Sequence, residues 1–304
     1  MAVTLTQLSS FMAVVRLGSV KAAAKELVVT QPSVSAAVSA LEREVGVALT
    51  ERTGRGLRPT AAGEAYVPYA ADVLGLLEQG ARAAREAAEQ EPRTLRISAV
   101  TTAGEYVVPQ LIQAFRERHP GLEISLDVGN REVVFQQVLD HAVDVAVTGR
   151  IPDERRLVGH DFADNEFVLV TAPGDPLARR RWVAVEELAG RPWLLREAGS
   201  GTRTLVEEFL AGRGIEPRVL TLGSNGAIKQ AARAGLGVAL QSRAAVELEL
   251  ELGLLETISP RGGLPSRRWH VVRSAVGPVR DEVEAFMAFC RSPAAQHALA
   301  KPLR

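Results

Sequence analysis

The sequence predicts a multidomain α/β protein with three parts: an N-terminal winged helix-turn-helix, a long linker helix and a C-terminal two-lobed α/β domain. Three observations predict it. Residues 1–59 hold short helical stripes opening on Ser or Thr. Residues 60–89 are Ala-rich with an extended helical period. From 94 onward, strand-like apolar runs alternate with helical patterns. Residues 90–93 (Gln-Glu-Pro-Arg) read as a hinge, because a proline disfavours helix at the residue before it. The expected domains are thus 1–59, 60–89, the hinge 90–93, and 94–304.

Hydrophobic residues at 46% and charged residues at 24% exclude a wholly disordered chain. Aromatics are only 5%, so the core must be built from Val, Leu, Ile and Ala. Cys290 is the single cysteine, which rules out an internal disulfide and a thiolate metal site. It falls in an apolar helical stripe with Val283, Phe286 and Met287, a core position. The first residues lack a basic segment followed by an apolar one, and no apolar run reaches about 18 residues. The expected compartment is the cytoplasm, with no membrane partner. Thirty-six basic residues balance 36 acidic ones, so any nucleic-acid signal must be local. Residues 1–63 carry seven basic and four acidic side chains, with Arg52, Arg55 and Arg58 close together.

Leu5, Leu8, Phe11, Val14 and Val15 give the first helix one apolar stripe, ended by Gly18. Ser19 caps a short second helix with Val20, Ala23, Ala24 and Leu27 inward. Val28 and Val29 turn the chain, and Thr30 caps a third helix. Val34, Val38, Leu41 and Val45 form its buried face, and Pro32 is tolerated in its first turn. Gln31, Ser33, Ser35, Ala36, Ala37 and Ser39 remain exposed, and all are uncharged. Such a face suits close approach to a grooved partner, as when the second helix of a helix-turn-helix at about 20–39 enters the DNA major groove. Periodicity alone equally allows a three-helix bundle with no DNA role. Residues 50–60 then supply two glycines and three arginines: a wing reaching phosphate or minor groove, or a solvated loop.

Thr60 caps the linker helix. Tyr66, Ala70, Val73, Leu77, Gly80, Ala84 and Ala87 alternate spacings of four and three, a heptad seam that points to dimerisation. Packing against the chain's own globular domain would use the same seam. Pro68 predicts a kink or a late start.

In the C-terminal domain, strands are expected at 95–100, 122–128 and 144–148, with a loop at 101–104 and helices near 107–118 and 135–142. A second lobe, about 166–267, repeats the layout with strands at 167–171, 219–222 and 238–240 and helices from Thr204 and Asn225. The first lobe takes about 94–165 and 268–304, including a strand at 269–273 and a helix at 280–290. A cleft between two α/β lobes is a preferred ligand site. At 199–203, Gly-Ser-Gly-Thr-Arg opens a helix, and its glycines, hydroxyls and free N–H groups favour an anion. The expected effector set is Thr101, Thr102, Thr148, Ser200, Gly201, Thr202 and Asn225, with Arg203 available for neutralisation. The same loop is also an ordinary helix cap.

Catalytic and metal sites are not expected. The five histidines are scattered, and HExxH, GxSxG and GxxxxGK[ST] patterns are missing. Gly-Leu-Gly at 235–237 lacks a third glycine, and Glu247, Glu249 and Glu251 read as a solvated face.

Residues 19–63 carry AAAKEL, TQPSVS, LEREVGVALTER and GLRPTAAG, in that order and spacing. This run resembles the N-terminal module of LysR-type transcriptional regulators, and the remaining length and α/β pattern fit the rest of that family. The GSGTR segment is most similar to its regulators of carbon fixation and sulfur assimilation. The resemblance implies a periplasmic-binding-protein-like effector domain, a homodimer pairing into a homotetramer, double-stranded DNA as partner and a small-molecule effector without a cofactor. It implies that Thr30, Gln31, Pro32, Ser33 and Ser35 meet the major groove and that Arg52 and Arg55 sit near the wing. One departure is Ala36 and Ala37, where many members carry Arg or Gln, which shifts base discrimination toward Gln31 and DNA shape. The expected function is sequence-specific DNA binding modulated by a small anionic metabolite between the lobes. The alternative is a small-molecule-binding protein or enzyme whose N-terminal helices serve only assembly.

Overall fold

The computed structural model describes residues 2–54 and 56–300. It divides into two units: residues up to Pro92 with Leu139–Ala142, and Arg93–Val138 with the chain from Val143 on.

The first unit begins with α1 (Leu5–Leu17), α2 (Val20–Glu26) and α3 (Gln31–Val45). Each start is fixed locally. Thr4 and Gln7 form a capping box, and Ser19 and Thr30 accept from the backbone N–H of Ala22 and Ser33, both at 3.3 Å. Gly18 (φ 63°) and Gly46 (φ 86°) end α1 and α3 in the left-handed conformation. Phe11, Val34 and Leu41 are fully buried in their shared core, each contributing about 1.5–3 kcal/mol. The α2–α3 turn holds Val28 at φ 57°, unusual for a β-branched side chain.

The wing is a hairpin of β1 (Thr50–Thr53) and β2 (Gly56–Pro59), closing with Thr53 opposite Gly56. Then α4 (Ala61–Ala87) runs unbroken through Pro68, so the proline marks no late start. Its entry is tight. A Cβ at Gly63 would lie 2.0 Å from the Leu49 carbonyl oxygen. Ala70 is 1% exposed and packs with half-buried Tyr66 in the helix-turn-helix core, where Tyr66 meets Phe11 edge-on at 5.9 Å. Both were expected on the dimer seam. Their burial within their own chain corrects that assignment. Val73, Leu77, Gly80 and Ala84 are exposed, as is Tyr69.

The second unit holds β3 (Thr94–Val100), α5 (Thr101–Tyr106), α6 (Val108–Arg116), β4 (Glu123–Gly129), α7 (Arg131–Leu139), β5 (Val145–Thr148) and β6 (Leu157–Asn165). Then come β7 (Phe167–Thr171), α8 (Val185–Ala189), β8 (Trp193–Leu195), α9 (Gly201–Ala211), β9 (Val219–Thr221), α10 (Asn225–Arg233), β10 (Ala239–Ser242), α11 (Arg243–Glu251) and β11 (Glu256–Ile258). The chain closes with β12 (Arg267–Ser274), α12 (Asp281–Cys290) and α13 (Pro293–Ala300).

Two sheets result. The first has the order β4-β3-β5-β12-β6, with β3 parallel to β4 and β5, and β12 antiparallel to its neighbours. The second is β10-β7-β11, joined by β8 and β9 through the Trp193–Val238 bridge. Every residue of β7 is buried, because helices and loops cover both faces of that sheet. Cys290 is fully buried, and burial pushes its thiol up to about 12.

Two expectations need correction, and one strand was missed. Residues 101–104 are not a loop but the first turn of α5, where Gly104 packs close to Val128. Strand β6 was unread, because its register shifts at Trp269/His270 and its alternation breaks. Glu249 is not solvated: it meets Lys229 at 2.8 Å, with both side chains largely buried. Among the described residues, no helix is long and apolar enough to cross a membrane.

Candidate functional site

Two sites emerge, one in each unit. In the first, α3 presents Gln31, Pro32, Ser33, Ser35, Ala36 and Ser39 to solvent, with Ala37 half-exposed. The Thr30 hydroxyl lies 2.8 Å from that of Ser33 and accepts its backbone N–H, so the Thr30 hydroxyl also caps the helix. A depression beside them is lined by Ser19, Lys21, Lys25, Val29, Thr30 and Gln31. Sequence reading gave Glu42 no role. Its Oε1 accepts from the Leu49 N–H (2.9 Å), the Thr50 N–H (2.9 Å) and the Thr50 hydroxyl (3.0 Å), fixing the wing against α3. Arg52 is exposed on β1, whereas Arg58 is paired with Glu51 at 2.7 Å. Arg55 lies outside the described residues.

The second site is a small cavity of about 50 Å³, open to solvent, at the carboxyl ends of the parallel strands. Val100 ends β3 and Thr101 and Thr102 follow it, Gly129 ends β4 before Asn130 and Arg131, and Thr148 ends β5 before Gly149 and Arg150. From the second sheet's side come Phe167, Arg196, Ser200, Gly201 and Thr202, and Asn165, Arg267 and Trp269 complete the wall. Six of the seven expected residues therefore surround one space. Asn225 does not. It is fully buried, accepts from Arg196 Nη1 (2.7 Å), and donates to Glu105 Oε2 (2.9 Å) and Thr102 Oγ1 (3.4 Å). Its side chain is used up behind the cavity wall. Arg203 also departs from expectation, because it pairs with Glu207 and donates to the Arg196 carbonyl.

The electrostatics come from residues the sequence reading missed. Arg131, Arg150, Arg196 and Arg267 line the cavity, and no Asp or Glu stands among its described lining residues. Arg196 is 3% exposed and bidentate to Glu197 at 2.7 and 2.8 Å. Arg267 donates to Glu208 at 3.1 Å. Burial holds the Arg267 guanidinium below its ordinary value. Glu208 opposes that shift, while the nearby Arg150 and Arg131 charges add to it. Ser200 caps α9 by accepting from the Arg203 N–H, and Ser200, Gly201 and Thr202 at that helix's start line the same space. One signal was available: Arg131, Arg150 and Arg196 each fall just past the end of a strand, where α/β sheets bind ligands.

A winged helix-turn-helix on the same chain as a two-lobed α/β domain with a cleft is the architecture of a transcriptional regulator with an effector-binding domain. The comparisons agree. Residues 5–64 match the family described as bacterial regulatory helix-turn-helix protein, lysR family, and residues 88–295 match the LysR substrate binding domain. The chain belongs to the LysR family of transcriptional regulators. It is 36% identical over 290 residues to the HTH-type transcriptional regulator CfxR of Cupriavidus necator, covering 94% of this chain and 91% of that one. It is 35% identical over 297 residues to the RuBisCO operon transcriptional regulator of Allochromatium vinosum, covering 97% and 98%. Among solved structures, the Synechocystis PCC6803 CcmR regulatory domain in complex with 2-PG superposes with a TM-score of 0.62 at 30% identity, covering 65% of this chain and 95% of that one.

Proposed function

We propose that the cavity binds a small anionic metabolite and that its occupancy changes how a dimer, or a pair of dimers, holds DNA. The observation that carries this reading is four arginines and a helix N-terminus around a space whose described lining holds no carboxylate. Like charges crowded together are costly, and an anion relieves them. Each charge-assisted hydrogen bond to the ligand is worth about 1.5–3 kcal/mol.

On the DNA side, the exposed uncharged face of α3 supports groove contact by Gln31, Pro32, Ser33 and Ser35, with Thr30 at its start. Arg52 supports phosphate contact. The exposed stripe of Tyr69, Val73, Leu77, Gly80 and Ala84 on α4 supports pairing with a second copy. A DNA target is in keeping with a cytoplasmic protein. The CcmR domain holds 2-PG, which makes that compound a probe for this cavity.

Calorimetric titration of the full chain with 2-PG and with inorganic phosphate tests the reading. Binding is expected that weakens about tenfold or more in Arg196→Gln. Failure to take up any anion, or equal affinity in that variant, contradicts it.

A further inference from the structure

Asn225 stands at the meeting of three elements. It is the first residue of α10, next to the cap Ser224, and is fully buried. Its amide is polarised by opposite neighbours. Oδ1 takes the Arg196 guanidinium at 2.7 Å, while Nδ2 gives to the Glu105 carboxylate at 2.9 Å and the Thr102 hydroxyl at 3.4 Å. Thr102 and Glu105 lie on α5, which follows the first sheet's β3, whereas Arg196 follows β8 of the second. The amide therefore spans the two lobes.

Asn225 and Glu197 together engage the guanidinium of Arg196 at Nε, Nη1 and Nη2, so its plane is fixed before any ligand arrives. A free arginine would have to be ordered on binding, and prior ordering improves affinity. Lys229 supplies a second tie on the same side, meeting Glu249 at 2.8 Å and lying 5.2 Å from the Tyr106 ring centre at the end of α5.

We infer that Asn225, held by Glu105, is a positioning residue: it aims Arg196 into the cavity and sets the separation of Arg196 from the α5 threonines without touching the ligand. This rests on the anion reading of the cavity.

The test is a double-mutant cycle on the full chain, reading the dissociation constant for inorganic phosphate by ligand-dependent thermal shift. Asn225→Ala is expected to weaken phosphate binding about tenfold in the parent chain and less than about twofold in the Arg196→Gln background. Asn225→Asp sets two carboxylates together and weakens binding. Adding Glu105→Gln to it restores one donor facing one acceptor with the roles exchanged, position 105 donating and position 225 accepting from it and from Arg196, and recovers affinity to within about threefold. Should Asn225→Ala fail to fold, Glu105→Gln alone, on an exposed residue outside the cavity wall, is expected to weaken phosphate binding a few-fold. Equal losses from Asn225→Ala in both backgrounds, no loss from Glu105→Gln, or no rescue by the paired change would overturn the positioning role. Where phosphate does not bind, 2-PG serves as the probe; no loss from Arg196→Gln, or a parent chain that takes up neither anion, overturns instead the anion reading on which it stands.

Discussion

Arg267 donates from Nη1 to the carbonyl oxygen of Gly201 at 3.0 Å, so a strand of the first sheet holds the first residue of α9. That one bond ties the cationic wall of the cavity to the helix terminus facing it. Arg267→Gln keeps a donor but deletes a charge. It is expected to weaken anion binding by about tenfold. Little stability should be lost, because the Glu208 partner is half-exposed. Anion-dependent thermal shift measures both effects, and unchanged affinity would remove Arg267 from the site.

DNA binding should separate two kinds of contact. Arg52→Ala is expected to lower affinity for all duplexes and to reduce the salt dependence by about one phosphate contact. Gln31→Ala should leave that slope unchanged and cost about 1–3 kcal/mol only at particular base pairs. Fluorescence anisotropy across a salt series distinguishes them. Identical behaviour of the two variants would contradict the assigned roles.

Assembly should depend on the exposed stripe of α4 and not on its buried start. Leu77→Asp, at a side chain 53% exposed, is expected to give a folded monomer with intact helix content. Ala70→Asp places a charge in the helix-turn-helix core and should unfold that module instead. Sedimentation velocity with circular dichroism reads the difference, and a dimer that survives Leu77→Asp refutes the pairing face.

Val28 offers a stability gain. Its side chain is 89% exposed, so little packing is lost on removing it, and its φ of 57° is strained for a β-branched residue. Relief of roughly 1–2 kcal/mol, less the extra chain entropy of glycine, leaves Val28→Gly more stable by about 0.5–1 kcal/mol. Urea denaturation checks this. A destabilised variant would show that the turn draws on the valine.

Local chemistry made the N-terminal half readable. Ser19, Thr30 and Thr60 cap helices because a side-chain oxygen three residues back satisfies a free N–H, and that spacing is visible in the sequence. The site was only half legible. Thr101, Thr148 and Ser200 could be placed because each ends a strand or opens a helix. Arg196 carried the same signal, just past β8, and was missed; Arg267 carried none, because it opens β12 and only the tertiary fold brings it to this wall. Asn225 was misread for a related reason: it opens a helix like a ligand contact, and only the packing of α5 against α10 shows its amide already engaged. Tyr66 failed similarly, since a heptad stripe does not reveal which of its turns the chain covers for itself.

The central claim is that an anion in the cavity alters the DNA complex. The direct measurement is the bend angle and footprint length of the full chain on duplexes it selects from a random pool, with and without saturating 2-PG or phosphate, in the parent and in Arg196→Gln. A change in bend or footprint with anion in the parent, abolished in the variant, is the predicted result. An anion that binds the cavity yet leaves bend and footprint the same contradicts the account.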